Sequence, residues 1–287
     1  MSVYVTDDTR VIVQGATGRT GRVLVEQLET FGTSVVAGVA PGHGGETLGD
    51  VPVYNTVSAA IKHSPNTSLV TVPAPYAKAA CFEAIEAGID TIVVVTEEIP
   101  VHDTLEIIDY ADRRDATVIG PNTVGVISPG NGAVMLCYEE IAKWYVQGEV
   151  GVVARSGSLS TEIADRLTRQ GIGQSTVLSV GGDPYLPTPP AAVLEAFDAD
   201  PGTEAAVYVG EIGGQFETDV ADVIDQLDIP VFVSVVGQAA PPGKKMGHAG
   251  AVAGSTSGAE KLSTLADAGA HVEASPFEIP AAVAESL

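Results

Sequence analysis

His248 is set among small residues, Gly247 before it and Ala249, Gly250 and Ala251 after it, downstream of an apolar run at residues 231–236. An imidazole in such a loop is accessible, and the glycine backbone around it can approach a bulky anion closely. Lys244 and Lys245 supply positive charge just ahead of it in a chain with few cations. No second histidine or cysteine stands at metal-ligand spacing, so the loop fits anion handling by a nucleophilic or phosphate-accepting imidazole better than metal binding. A solvated loop histidine is the plainer alternative.

Two further positions fit the first reading. Glu211 closes the apolar run 205–210 and is followed by Gly213 and Gly214. A carboxylate at the C-terminal end of a strand lies where open α/β folds build their sites, and it can fix the tautomer of an imidazole. Ser156 and Gly157 follow the run 150–154 and precede a helical pattern. Small residues at a helix start cap it, bind an anion, or both. Convergence of Ser156, Glu211 and His248 on one sheet edge is therefore expected.

The N-terminal part carries another anion signal. Gly15, Gly18 and Gly21 occupy the turn after the run 11–15, where a tight backbone can meet a pyrophosphate at a helix start. NAD(P) is the obvious ligand for such a turn. The second strand, however, leads into Pro41, Gly42, His43, Gly44 and Gly45, without the acid that binds a ribose diol. Two glycine turns suit a nucleotide with several phosphates, such as coenzyme A; a purely structural turn with a flexible loop is the alternative.

These positions need a frame of strands and helices. Short apolar runs at 11–15, 34–39, 68–72, 90–95 and 116–120 alternate with amphipathic stretches at 21–29, 77–87 and 104–113. A second series follows at 149–154, 175–181, 205–210, 230–236 and 270–274, with helical patterns at 161–170 and 219–227. This alternation predicts an α/β chain with two open parallel sheets. The glycine- and proline-rich turn from residue 128 marks a break, giving domains at 1–127 and 150–287 joined by a segment at 128–149.

Composition bounds the rest. The 287 residues suffice for two cores, and 45% hydrophobic with 5% aromatic content suits buried Val- and Ala-rich parallel strands. No apolar run approaches the ~18 residues of a membrane span, and no basic-then-apolar leader is visible. Cys81 and Cys137 lack motif spacing and read as reduced intracellular thiols, so a cytoplasmic location is expected. With 37 acidic against 14 basic residues the net charge is −23, which argues against nucleic-acid binding. Dispersed acid with scarce lysine suits a protein working in high salt, where screening removes self-repulsion. A halophilic source is the expectation.

Ordered segments at 14–18, 38–45, 51–56, 72–75, 96–100, 120–125, 155–159, 181–184, 210–214 and 243–250 resemble the α subunits of succinyl-CoA synthetases over nearly the full chain. The resemblance implies a Rossmann-like CoA-binding domain followed by a flavodoxin-like ligase domain. It implies that His248 is transiently phosphorylated, that Glu211 accompanies its imidazole, and that Ser156 and Gly157 cradle its phosphate. Thr17, Gly18, Arg19, Thr20, Thr96, Glu97 and Glu98 match CoA-contacting segments. It further implies an ATP-grasp β subunit that holds ATP or GTP with Mg²⁺, in an αβ or α₂β₂ assembly, and a place in the tricarboxylic acid cycle. The chain departs from the family at four places. His43 replaces a lysine that contacts CoA, and Thr123 replaces a cysteine. Thr161 replaces a tyrosine associated with substrate, and residues 135–140 do not follow the usual run. A ligase for another carboxylic acid, or a CoA-binding module without ligase activity, remains open at this point.

Overall fold

The computed structural model describes residues 3–136, 139–241, 243–244, 246–252 and 257–287, and for residues 139–141 the backbone alone. Cys137, Tyr138 and Lys245 lie outside the described residues, and so does part of the divergent run 135–140.

The first sheet contains β1 (Arg10–Gln14), β2 (Ser34–Val39), β3 (Thr47–Leu48), β4 (Val51–Tyr54), β5 (Thr67–Val70), β6 (Thr91–Val94) and β7 (Thr117–Ile119). Their order is β3-β4-β2-β1-β5-β6-β7, parallel throughout except for β3. The winding reverses at β1, so the crevice outside its C-terminal end is the natural ligand position. The second sheet contains β8 (Gly125–Ser128), β9 (Gly132–Met135), β10 (Gln147–Ala154), β11 (Gln174–Ser179), β12 (Ala205–Glu211), β13 (Val231–Val236) and β14 (His271–Val272). Its order is β14-β13-β12-β10-β11-β8-β9, with β8 and β9 antiparallel additions and the reversal at β10. The expected pair of α/β sheets is present.

The helices are α1 (Arg19–Thr30), α2 (Val57–Ala60), α3 (Ala74–Glu86), α4 (Val101–Asp112), α5 (Gly157–Arg169), α6 (Pro190–Ala199), α7 (Phe216–Ile224), α8 (Gly258–Asp267) and α9 (Ile279–Ser286). α1 buries Gly21, Leu24, Val25 and Leu28, a stripe of helical period. Each fully buried leucine there contributes about 1.5–3 kcal/mol relative to exposure. β8, β11 and β12 are buried at every position, hence the absence of apolar–polar alternation along them.

The sheets change over between Ile119 and Gly125. Residues 125–135, read from the sequence as the end of one domain and the start of a connector, form a hairpin on the second sheet. That hairpin also ties the sheets together. The Thr33 hydroxyl donates to the Ala133 carbonyl at 2.7 Å and accepts from its amide at 2.8 Å. Leu24 and Leu28 share one hydrophobic cluster with Val126, Val134 and Val153, so one core runs through both sheets. Cys81 is a free thiol inside the first layer, where burial pushes its pKa up to about 12 and leaves it a packing residue. No described helix is long and apolar enough to cross a membrane.

Candidate active site

β12 delivers Glu211 to the C-terminal edge of the second sheet, and the loop 246–252 brings His248 over it. The His248 Nδ1 lies 2.8 Å from one Glu211 carboxylate oxygen and 2.9 Å from the other. With Nδ1–H donated to the carboxylate, Nε2 keeps its lone pair and becomes the reactive nitrogen. Glu211 is buried, while the His248 side chain is 29% exposed, enough to meet a reactant from the cleft. The hydrogen bond with Glu211 raises the imidazole pKa above 6.5; partial burial and Arg155 oppose it, and Asp183 adds to it.

Glycine is required beneath the ring. A Cβ on Gly182 would lie 2.3 Å from the His248 ring, and the Gly182 carbonyl accepts from the Gly250 amide at 2.9 Å. The loop closes on itself through the Met246 amide, which donates to the Ala251 carbonyl at 2.8 Å. Arg155, 1% exposed, lies alongside. Its Nη2 donates to the Asp183 carbonyl at 2.9 Å, and its guanidinium stacks 4.7 Å from the Phe216 ring centre. Its Nη1 is buried without a hydrogen-bond partner among the described residues, so positive charge is held next to the histidine.

Ser156 is the N-cap of α5, in extended conformation and with no side-chain cap bond. The first turn of α5 carries no acidic residue, and its start opens into a cavity of about 700 Å³. Ser156, Gly157, Ser158 and His248 from the second sheet's side of the chain line it together with Thr20, Thr96, Glu97, Glu98 and Asn122. Exposed helix amides beside an imidazole suit a phosphoryl group. Glu98 and Asn122 both hold positive φ, an uncommon conformation that gathers at functional sites.

A second cavity, of about 670 Å³, lies at the reversal point of the first sheet. Gly15, Thr17, Gly18, Arg19, Thr20, Pro41 and His43 line it, and Thr20, Thr71, Val72 and Pro73 belong to both cavities. The cavity of the glycine turn and that of His248 therefore adjoin. Gly15 stands at φ +84° with Thr71 Oγ1 2.9 Å from where a Cβ would be, and Gly21 packs on the Gly15 carbonyl. His43 is half exposed, its Nδ1 2.8 Å from Glu46 Oε1.

Two sequence-selected positions lie apart from these cavities. Thr161 turns its hydroxyl to the Gly157 carbonyl and to Tyr145, each at 3.0 Å, and does not line the histidine cavity. Lys244 lines a different cavity at the end of β13. Thr123 is buried, and its hydroxyl accepts from the Gly125 amide at 2.8 Å and pairs with the Ser179 hydroxyl at 2.9 Å. Conversely, Gly182, Asn122 and the buried Arg155 had no role assigned from their sequence pattern. The glycines at 181 and 182 were a signal, since adjacent glycines at a strand end permit close approach. Among the described residues no cluster of three or more His, Cys, Asp or Glu side chains is arranged for a metal ion.

Comparisons with known proteins agree with this layout. Residues 6–98 match the CoA binding domain family and residues 153–272 the CoA-ligase family. The chain is 45% identical to the α subunit of ADP-forming succinate–CoA ligase from Methanothermobacter thermautotrophicus, covering 96% of this chain and 94% of that one. Identity to the corresponding Aquifex aeolicus subunit is 44%, covering 100% and 95%. The ATP citrate lyase of Methanothrix soehngenii, solved with citrate and coenzyme A, superimposes with a TM-score of 0.87 at 24% identity over 99% of this chain. The chain spans 51% of that longer polypeptide, a likeness of fold alone.

Proposed function

The chain belongs to the family of succinate–CoA ligase α subunits, and we propose that it forms succinyl-CoA through a phosphate carried on His248. The observation that carries this reading is the His248–Glu211 pair at the mouth of α5, in a cavity adjoining that of the glycine turn.

In the synthetic direction Nε2 of His248 attacks the γ-phosphorus of a nucleoside triphosphate. The P–N bond forms as the bond to the leaving diphosphate breaks. Glu211 holds the Nδ1 proton and balances the imidazolium charge that develops. The amides at the start of α5 face the phosphoryl oxygens, and the buried Arg155 adds positive charge from behind the cavity wall. A succinate carboxylate oxygen then takes the phosphorus, breaking P–N and giving an acyl phosphate. The CoA thiolate attacks the acyl carbon, the C–O bond breaks, and inorganic phosphate leaves with its electron pair. Carboxylate alone cannot react this way, because oxide is too poor a leaving group.

Coenzyme A fits the residues of the second cavity, at the glycine turn. Glycine backbone and the start of α1 suit its pyrophosphate, and Arg19 and His43 suit its further phosphate. Thr96, Glu97 and Glu98 line the path of its arm toward His248. The nucleotide, ATP or GTP with Mg²⁺, is assigned to an ATP-grasp β subunit. Met246 and Val252, on either side of His248, are 37% and 40% exposed, which suits a subunit closing over the loop. NAD(P) as the ligand of the glycine turn loses its support, because β2 leads into Ala40 and Pro41 without a ribose-binding acid.

The test is a pair of titrations. Coenzyme A should bind the wild type and His248→Ala equally and displace NADH from neither, while only the wild type accepts phosphoryl from the β subunit with triphosphate. Phosphorylation of His248→Ala at the wild-type rate would refute the assignment.

A further inference from the structure

Behind the histidine pair lies a second, fully enclosed pair that the ligase chemistry does not use. The Lys261 ammonium, 4% exposed, lies 2.5 Å from Glu217 Oε2, and Glu217 is 1% exposed. Charges this deep persist only when every donor and acceptor around them is satisfied. Here the partners are supplied almost wholly by the segment that carries Glu211. Glu217 Oε1 accepts from the Glu211 backbone amide at 3.0 Å and from the Tyr208 hydroxyl at 2.9 Å. Lys261 Nζ donates to the carbonyls of Gly213 at 2.7 Å, Gly214 at 3.2 Å and Glu211 at 3.3 Å. Both backbone polar groups of Glu211 thus end on this pair.

The same segment reaches the histidine loop. Gly213 stands at φ +86°, and a Cβ there would lie 2.5 Å from the Gly250 carbonyl and 2.7 Å from the Val252 amide. Gly210 makes room from the other side, since a Cβ on it would lie 2.6 Å from Glu217 Oε1. A hydrophobic pair would fill this volume as well. It would offer nothing to the four backbone groups now bonded.

We propose that the Lys261–Glu217 pair is a positioning clamp that fixes residues 211–214, and through them sets the Glu211 carboxylate against His248. The inference deepens the reading of His248 as the phosphoryl carrier and rests on it for its purpose. Neither residue touches substrate. Lys261 sits on α8 and Glu217 on α7, so the two helices are fastened to the end of β12 at the one place where its side chain works.

The test follows the imidazole itself, so that it stands apart from phosphoryl transfer. The groups acting on His248 are Glu211, Arg155 and Asp183, and Glu97 and Glu98 line the same cavity. The full chain is ring-labelled at histidine and titrated by NMR, the His248 signal being assigned by its loss in His248→Asn. In the paired replacement Lys261→Met with Glu217→Leu, the His248 titration should fall toward the ordinary imidazole value of 6.5. Phosphorylation in the αβ complex should slow roughly tenfold to a hundredfold, as expected for a misplaced reacting group. Coenzyme A affinity should not change. Gly210→Ala gives the same readout with both charges kept, because its methyl would meet Glu217 Oε1 at 2.6 Å, the Tyr208 hydroxyl at 3.1 Å and Glu217 Cγ at 3.2 Å, all within the clamp. It should lower the titration in the same direction, while Glu217→Gln, which keeps an acceptor for the Glu211 amide, should retain more of it than Glu217→Leu. A wild-type His248 titration in the folded paired variant or in Gly210→Ala would overturn the clamp. Absence of phosphorylation in the wild type would refute the carrier reading instead, leaving the titration result to judge the clamp.

Discussion

The chemistry of the site rests on one tautomer. Glu211 accepts the Nδ1–H of His248 and leaves Nε2 without that proton, and the imidazole pKa rises as a consequence. Since the folded value exceeds the unfolded one, the pairing stabilises the protein fully below the ordinary value of 6.5 and loses that contribution as pH rises through the raised value. Glu211→Gln should therefore lower Tm most in mildly acidic buffer, with the gap to wild type narrowing as pH rises; thermal melts across that range check it. A gap that widened with pH would reverse the sign. His248, Glu211 and Ser156 were legible because each is a chemically distinct residue among small ones at a strand or helix end. Lys261 and Glu217 were not, since 44 residues separate them and nothing in spacing marks a buried pair.

At the scale of elements, glycines fix how helices meet strands. A Cβ on Gly21 would lie 2.2 Å from the Gly15 carbonyl, and one on Gly157 would lie 2.3 Å from a Val124 methyl. Backbone cannot yield as a side-chain end can. Gly21→Ala should lift α1 from the glycine turn, costing about 1–3 kcal/mol and weakening coenzyme A binding. Gly157→Ala should instead slow phosphorylation of His248 with coenzyme A affinity intact. Calorimetric titration and labelling of both variants separate the effects; a reversed pattern would mean the two cavities have been given the wrong ligands. Most central strands were legible as Val and Ile runs, and α1, α3, α4, α5 and α7 from their apolar stripes. The hairpin of β8 and β9 was not, because strands of four residues buried on both faces show no alternation. α6 went unnoticed among prolines at 187, 189 and 190, although Val193, Leu194 and Phe197 form its buried face.

For the whole molecule, strand ends of the two sheets line adjoining cavities, and on the proposed mechanism an acid activated at one sheet meets a thiol held at the other. Surrounding this is a strongly acidic exterior, with a net charge of −23. At low ionic strength those carboxylates repel across distances that molar salt screens to about 3 Å. Tm should therefore rise steadily between 0.1 M and 2 M KCl, and an unchanged Tm would remove the case for adaptation to high salt. The acidic balance is read directly from composition, whereas the joining of the two sheets through Thr33 and Ala133 was not legible, since it depends on a contact 100 residues apart.

The most direct measurement is phosphoryl transfer to the chain itself. The subunit, with its β partner, Mg²⁺ and γ-labelled ATP or GTP in high salt, should acquire acid-labile label on His248 that succinate and coenzyme A together discharge as succinyl-CoA. Label that succinate and coenzyme A leave in place, or no label with an active partner bound, would contradict the account.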